Sequence, residues 1–165
     1  ATPQEMDIYS QMDYDAVVDS LMDFSEEDII PEDVISRFHK DQSDFRNPNG
    51  AGANWVYRMG MTKTPLREKI CLFWHRVFAT ASTKLIQNRP ILNQIAMFRK
   101  HGMGSFDDLL VKLSKDPAMI IYLDNDYNRK DSINENYGRE LLELLSLIHI
   151  SAQKRRYAIT YAIIC

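Results

Sequence analysis

Long apolar runs are missing from this 165-residue chain, and no stretch approaches the ~20 residues that a membrane helix needs. Cysteine is scarce: Cys71 and Cys165 cannot make the framework of a disulfide-stapled domain. Six Gly and six Pro are too few for a turn-dense all-β design. Also absent are Cys/His metal knuckles, a Gly-rich phosphate loop, a nucleophile elbow and an HExxH zinc motif. What is present is ordinary for a folded domain: 45% hydrophobic and 26% charged residues, which sets aside disorder and low complexity. The start, Ala1-Thr2-Pro3, has neither Met nor a signal-type apolar segment and reads as that of a processed chain or a fragment.

Charge is unevenly spread. Up to Phe45 there are thirteen acids against two bases, Arg37 and Lys40; the remainder holds ten acids and eighteen bases, so the parts carry −11 and +8. Two such parts packed together partly cancel each other's field. A nucleic-acid surface would cluster Lys and Arg on one element among stacking aromatics, whereas here the bases are scattered. Nucleic acid is therefore not the expected partner.

Helical periodicity runs through the chain and predicts an all-α fold, an irregular multi-helix bundle. Val17, Val18, Leu21 and Met22 recur at helix spacing, and Pro31 suits the first turn of a short helix through Val34, Ile35 and Phe38. Residues 1–45 thus read as acidic N-terminal helices. Residues 46–54, with Asn47-Pro48-Asn49-Gly50, read as a loop or linker. The helical core is placed at 55–146. Thr64-Pro65 opens a helix whose apolar face is expected to carry Leu66, Ile70, Phe73, Trp74, Val77, Phe78 and Ala81. A further helix is expected over 89–101, with Gly102 available for a left-handed cap. Ser105 with Asp108, Asp116-Pro117, and Ser132 with Glu135 give the next helix starts. Met59, Met61, Met97, Met103 and Met119 read as core filler.

Three places could hold chemistry. His75 points roughly 145° from the centre of its helix's expected apolar stripe, near Glu68 two turns earlier, so it is not simple core filling. Neutral imidazole is a common metal ligand and titrates near neutrality. In the segment 124–135, oxygen-bearing side chains fall at positions 1, 3, 5, 9 and 12: Asp124, Asp126, Asn128, Ser132 and Glu135. That is the spacing of a calcium loop between helices, so Ca²⁺ or another divalent cation is the expected ligand. Arg129 occupies the sixth position, where such loops carry Gly. On the last helix, Arg139, Glu140 and Glu143 share a charged stripe. If it faces His75, a carboxylate–histidine cluster forms with Arg139 neutralising one acid. Gly138 within that helix suggests close approach of another backbone.

From Trp55 to about Leu144 the chain resembles the bacterial "domain of unknown function 1800" family. The resemblance rests on Pro65-Leu66-Arg67-Glu68-Lys69, Leu72-Phe73-Trp74-His75, Phe78-Ala79-Thr80, Ser114-Lys115-Asp116-Pro117-Ala118-Met119, Tyr122-Leu123-Asp124-Asn125 and the run from Asn134 to Leu144. It implies a mainly helical and much longer protein, exported to the envelope or outside the cell, with no established activity. Val77 stands where many members carry a second His, so a paired-histidine metal site is not carried over. The ending, from Leu147-Ile148-His149 to Ile164-Cys165, resembles translated adapter read-through at the end of a metagenomic gene, and residues 147–165 are expected to be foreign to the native chain.

Two classes of function remain open. One is a binding or assembly module serving another envelope protein or a surface polymer, with a cation clamping the 124–135 loop. The other is a metal-assisted hydrolase with His75 as ligand or general base and Glu140 or Glu143 as its carboxylate partner.

Overall fold

In a computed structural model of the chain, residues 2–24, 37, 46 and 48–147 are described, the side chains of 144–147 excepted. Of the expected helix from Pro31 to Phe38 Arg37 alone is described, and the tail beyond 147 lies outside the described residues. Among the described residues eight α-helices follow in order: α1 (Pro3–Ser10), α2 (Tyr14–Met22), α3 (Pro48–Met61), α4 (Pro65–Val77), α5 (Arg89–His101), α6 (Phe106–Ser114), α7 (Pro117–Tyr122) and α8 (Asn136–Leu147). No strand is present among the described residues; one isolated bridge pairs Arg129 with Ser132. The fold is all-α, as the periodicity predicts.

Helix starts follow side-chain chemistry. Asp13 accepts the Ala16 N–H at 2.8 Å, Asp116 accepts that of Met119 at 2.9 Å, and Ser105 caps α6 through Asp108. Each such cap is worth about 1 kcal/mol. Thr64 sits at the start of α4 without capping it; its own N–H goes to the Thr62 hydroxyl at 3.0 Å, and Pro65 supplies the first turn. α8 begins later than Ser132 and Glu135 suggest. Ser132 instead pairs its backbone with Arg129, and the Asn136 N–H is taken by the Asn134 side chain at 3.0 Å.

The expected linker 46–54 is corrected: residues 48–54 are the first two turns of α3. Pro48, with φ preset for a first helical turn, starts it. Gly50, Ala51 and Asn54 then form a small buried face, and α3 packs on α5. The Asn88 side chain fastens the preceding chain by donating to the Arg46 carbonyl at 3.3 Å.

α5 is the central element, in contact with α3, α4, α6 and α7. Around it Cys71, Phe78, Ile95, Phe98, Leu109, Leu113 and Met119 close a core, joined by Tyr137 and Leu141 from α8. Trp74 stacks between Phe78 and Phe106, with centroids 5.8 and 5.5 Å away. Aromatic pairs of this kind add ~0.5–1.5 kcal/mol beyond area burial.

α4 buries a different face from the one its apolar residues outline. Glu68, Cys71 and Phe78 are inside, whereas Phe73 is half exposed and Leu72 is exposed. The buried face is turned by about a quarter of the helix circumference. The turn allows the Cys71 thiol to donate to the Ile95 carbonyl at 3.3 Å and Glu68 to meet partners on α3 and α5. Of the methionines read as core, Met119 is buried, but Met61 and Met103 lie on the surface.

Candidate functional site

The residue that organises the α3–α4–α5 junction is Glu68, only 5% exposed. Burying a carboxylate costs several kcal/mol unless it is paired and hydrogen-bonded. Both of its oxygens are engaged: Arg99 of α5 grips Oε1 through Nε and Oε2 through a terminal nitrogen at 3.2 Å, and the Trp55 indole N–H of α3 donates to Oε2 at 3.2 Å. Three helices are thereby tied through one side chain.

His75 lies on the same side of α4, two turns on. Its ring meets Trp55 edge-on, 5.0 Å between centroids and at 90°. Burial holds its pKa below the ordinary histidine value, so the neutral imidazole is favoured. Nδ1 is buried with no hydrogen-bond partner among the described residues. One turn earlier, the Cys71 thiol is fully buried and its pKa is pushed up to about 12 by burial, with Arg99 pulling down and Glu68 pushing up. A sealed thiol and a doubly gripped carboxylate make a structural knot. The half-buried imidazole at its rim has a nitrogen, Nδ1, unengaged among the described residues.

A second buried polar chain crosses the core. The Thr80 hydroxyl donates to the Gln94 carbonyl oxygen, and the Gln94 amide donates to Asp116 Oδ1 at 2.8 Å. Burial raises the Asp116 pKa, opposed by hydrogen bonds from Met119, Gln94 and Ala118. The same carboxylate caps α7, so the chain couples the α4–α5 connection to the α7 start.

The residues of the expected cation loop are placed differently from a shared coordination shell. Asp124 adopts φ +57 and gives Oδ2 to Lys84 Nζ at 2.7 Å. Asn128 Oδ1 accepts the Asn134 N–H at 3.1 Å, Asp126 and Glu135 are exposed, and Ser132 is in the isolated bridge with Arg129. Asparagine side chains brace the loop from within: Asn134 and Asn136 donate to the carbonyls of Asp124 and Leu123 at 3.0 and 3.3 Å. Among the described residues no three His, Cys, Asp or Glu side chains stand together as a metal group.

On α8, Arg139 reaches Glu140 at 3.9 Å and bonds Asn136 Oδ1 at 2.8 Å, and Glu143 is exposed. His75 Nδ1 makes no hydrogen bond with any of them. Among the described residues nothing lies within 4 Å of a β-carbon added at Gly138, so they show no close approach there. Sequence reasoning passed over Trp55 and Arg99 as partners. The available signal was Glu68 itself, an acid two turns from His75 on a helix flanked by apolar residues.

These features define an all-α protein whose helices are locked by a buried carboxylate–guanidinium–indole knot. Its membership follows from sequence: the chain belongs to the family described as Protein of unknown function (DUF1800), whose profile matches residues 1–153. The match takes in the acidic N-terminal helices and reaches past Leu147. No curated protein and no solved structure matches the chain. Among the described residues no helix is long and apolar enough to cross a membrane.

Proposed function

We propose that the chain is a helical binding or assembly module of a bacterial envelope or secreted protein. One observation carries this reading: α1 and α2 bury no residue, yet Met6, Ile8, Tyr14 and Met22 on them and Met12 between them stand exposed, Tyr14 at 81%. Ordering such helices costs conformational entropy that burial of apolar surface normally offsets. Contiguous exposed apolar surface with a polar rim marks an interaction site. The exported location rests on the resemblance to a family of exported proteins. The test is a photo-reactive residue placed at Ile8 or Met22 in the full chain, exported to a bacterial periplasm. Discrete adducts from these positions, and none from the exposed Thr83, support a binding module. Absence of adducts from both arm positions overturns it.

A second reading, a metal-assisted hydrolase, is favoured by the unengaged Nδ1 of His75. In it, His75 and the Glu140 or Glu143 carboxylate would hold the metal, which would supply an activated water. Metal retained by the natively purified chain and lost in His75→Gln supports this; equal metal content in both proteins rejects it.

A further inference from the structure

Residues 2–24 carry six acids, Glu5, Asp7, Asp13, Asp15, Asp19 and Asp23, and no base. The exposed apolar side chains of α1 and α2 are interleaved with them, so this arm is both acidic and apolar. Its chemical complement exists on the same chain. On the outer face of α4, Lys69, Leu72, Phe73 and Arg76 fall at i, i+3, i+4 and i+7, and all four are exposed. Leu72 and Phe73 are 45% and 48% exposed, a pair of large apolar groups bracketed by two cations.

The chain's own arm is held on the other side of that helix. Phe24, at the end of the arm, lies against Arg67, whose guanidinium sits 4.6 Å from the ring centroid and bonds the Phe24 carbonyl at 3.5 Å. At 100° per residue the stripe lies roughly 140–240° around α4 from Arg67. An arm anchored at Arg67 therefore leaves the stripe of its own chain facing away and open to another.

Resting on the assembly reading above, we infer that the partner is a second copy of this chain. The acidic arm of one copy lies along the Lys69–Leu72–Phe73–Arg76 stripe of the other, and the exchange is reciprocal. Reciprocity closes the assembly as a two-fold dimer, in which each patch is used once on each subunit. The acids of the arm meet Lys69 and Arg76 at the rim, and the apolar side chains of both elements cover one another at the centre. A helix laid by its apolar face onto such a stripe is a recurrent recognition mode.

The experiment is sedimentation of the full chain across a concentration series, with charge-reversed variants. The wild type is expected to show a monomer–dimer equilibrium that weakens with added salt. Lys69→Glu with Arg76→Glu, and separately Asp15→Lys with Asp19→Lys, should each weaken dimerisation about tenfold, the scale of a few rim ion pairs. Combining all four should restore it, which a loss of folding in either parent cannot do. A wild type that stays monomeric throughout, or a dimer indifferent to both reversals, overturns the inference. Mass analysis of the Met22 photo-adduct separates the two readings. An adduct of twice the chain mass supports the exchange. An adduct with a different protein overturns the exchange and leaves the binding module standing. No adduct at Ile8 or Met22 overturns both.

Discussion

Trp74 donates its indole N–H to the Gly102 carbonyl at 2.7 Å, fixing the last turn of α4 to the end of α5. Gly102 is right-handed, with φ −66, so it is not glycine for the sake of a left-handed cap. It is glycine for space: a β-carbon there would sit 2.6 Å from Trp74 Cδ1 and 2.5 Å from the Phe98 carbonyl. Gly102→Ala is expected to destabilise the fold by about 1–3 kcal/mol, as overpacking does. An unchanged urea midpoint would refute this.

Gly138 should respond in the opposite sense. It lies within α8, and among the described residues nothing comes within 4 Å of an added β-carbon. Gly138→Ala is expected to stabilise by about 1 kcal/mol through helix propensity. A lower denaturation midpoint would show that something does approach this position.

The Glu68 knot makes a third prediction. Glu68→Ala leaves Arg99 and the Trp55 N–H without their acceptor in a buried setting, and should cost ~3–5 kcal/mol. Glu68→Leu combined with Arg99→Met should recover much of that loss, because it removes both charges together. A double-mutant cycle reads the coupling directly. Additive losses would mean that the pair is not coupled.

Asp116 and His75 give pH signatures of opposite slope. The folded-state pKa of Asp116 is raised, so the native state holds this proton more tightly than the unfolded chain. Between the ordinary carboxylate pKa and the raised value, its contribution falls as pH rises. Asp116→Asn should therefore gain melting temperature relative to wild type as pH goes from about 4 to 7. A constant difference across that range would contradict the buried acid.

For His75 the folded-state pKa is lowered, so the unfolded chain takes the proton first. Stability is complete above the ordinary histidine pKa and declines as pH falls through it toward the folded value. His75→Phe should flatten the melting-temperature slope between about pH 5 and 7. An unaltered slope would place the acid sensitivity elsewhere.

The helices were legible in the sequence where a local signal decides them. The Asp116-Pro117 start and the span of α5 are set by capping and periodicity within one segment. The orientation of α4 was not legible, because it depends on partners on other helices, thirteen and thirty-one residues from Glu68. Only Arg99 and Trp55 make burial of Glu68 tolerable, and only then does Phe73 turn outward. The 48–54 segment misled for a related reason: Asn, Pro and Gly are turn formers in isolation, but Pro48 is also a good first helical residue. In the 124–135 loop the contact of the first carboxylate could not be read from spacing, because its partner, Lys84, lies forty residues earlier.

The Cys71 thiol, sealed between α4 and α5 and bound to the Ile95 carbonyl, is chemically silent while the two helices stay together. An alkylating reagent can reach it only when they part, and the thiol must also ionise. The rate of its modification is thus a stopwatch on the separation of α4 from α5. Slowing that clock with Gly138→Ala and hastening it with Gly102→Ala would rank the variants by how often the molecule breathes, without any knowledge of what it binds.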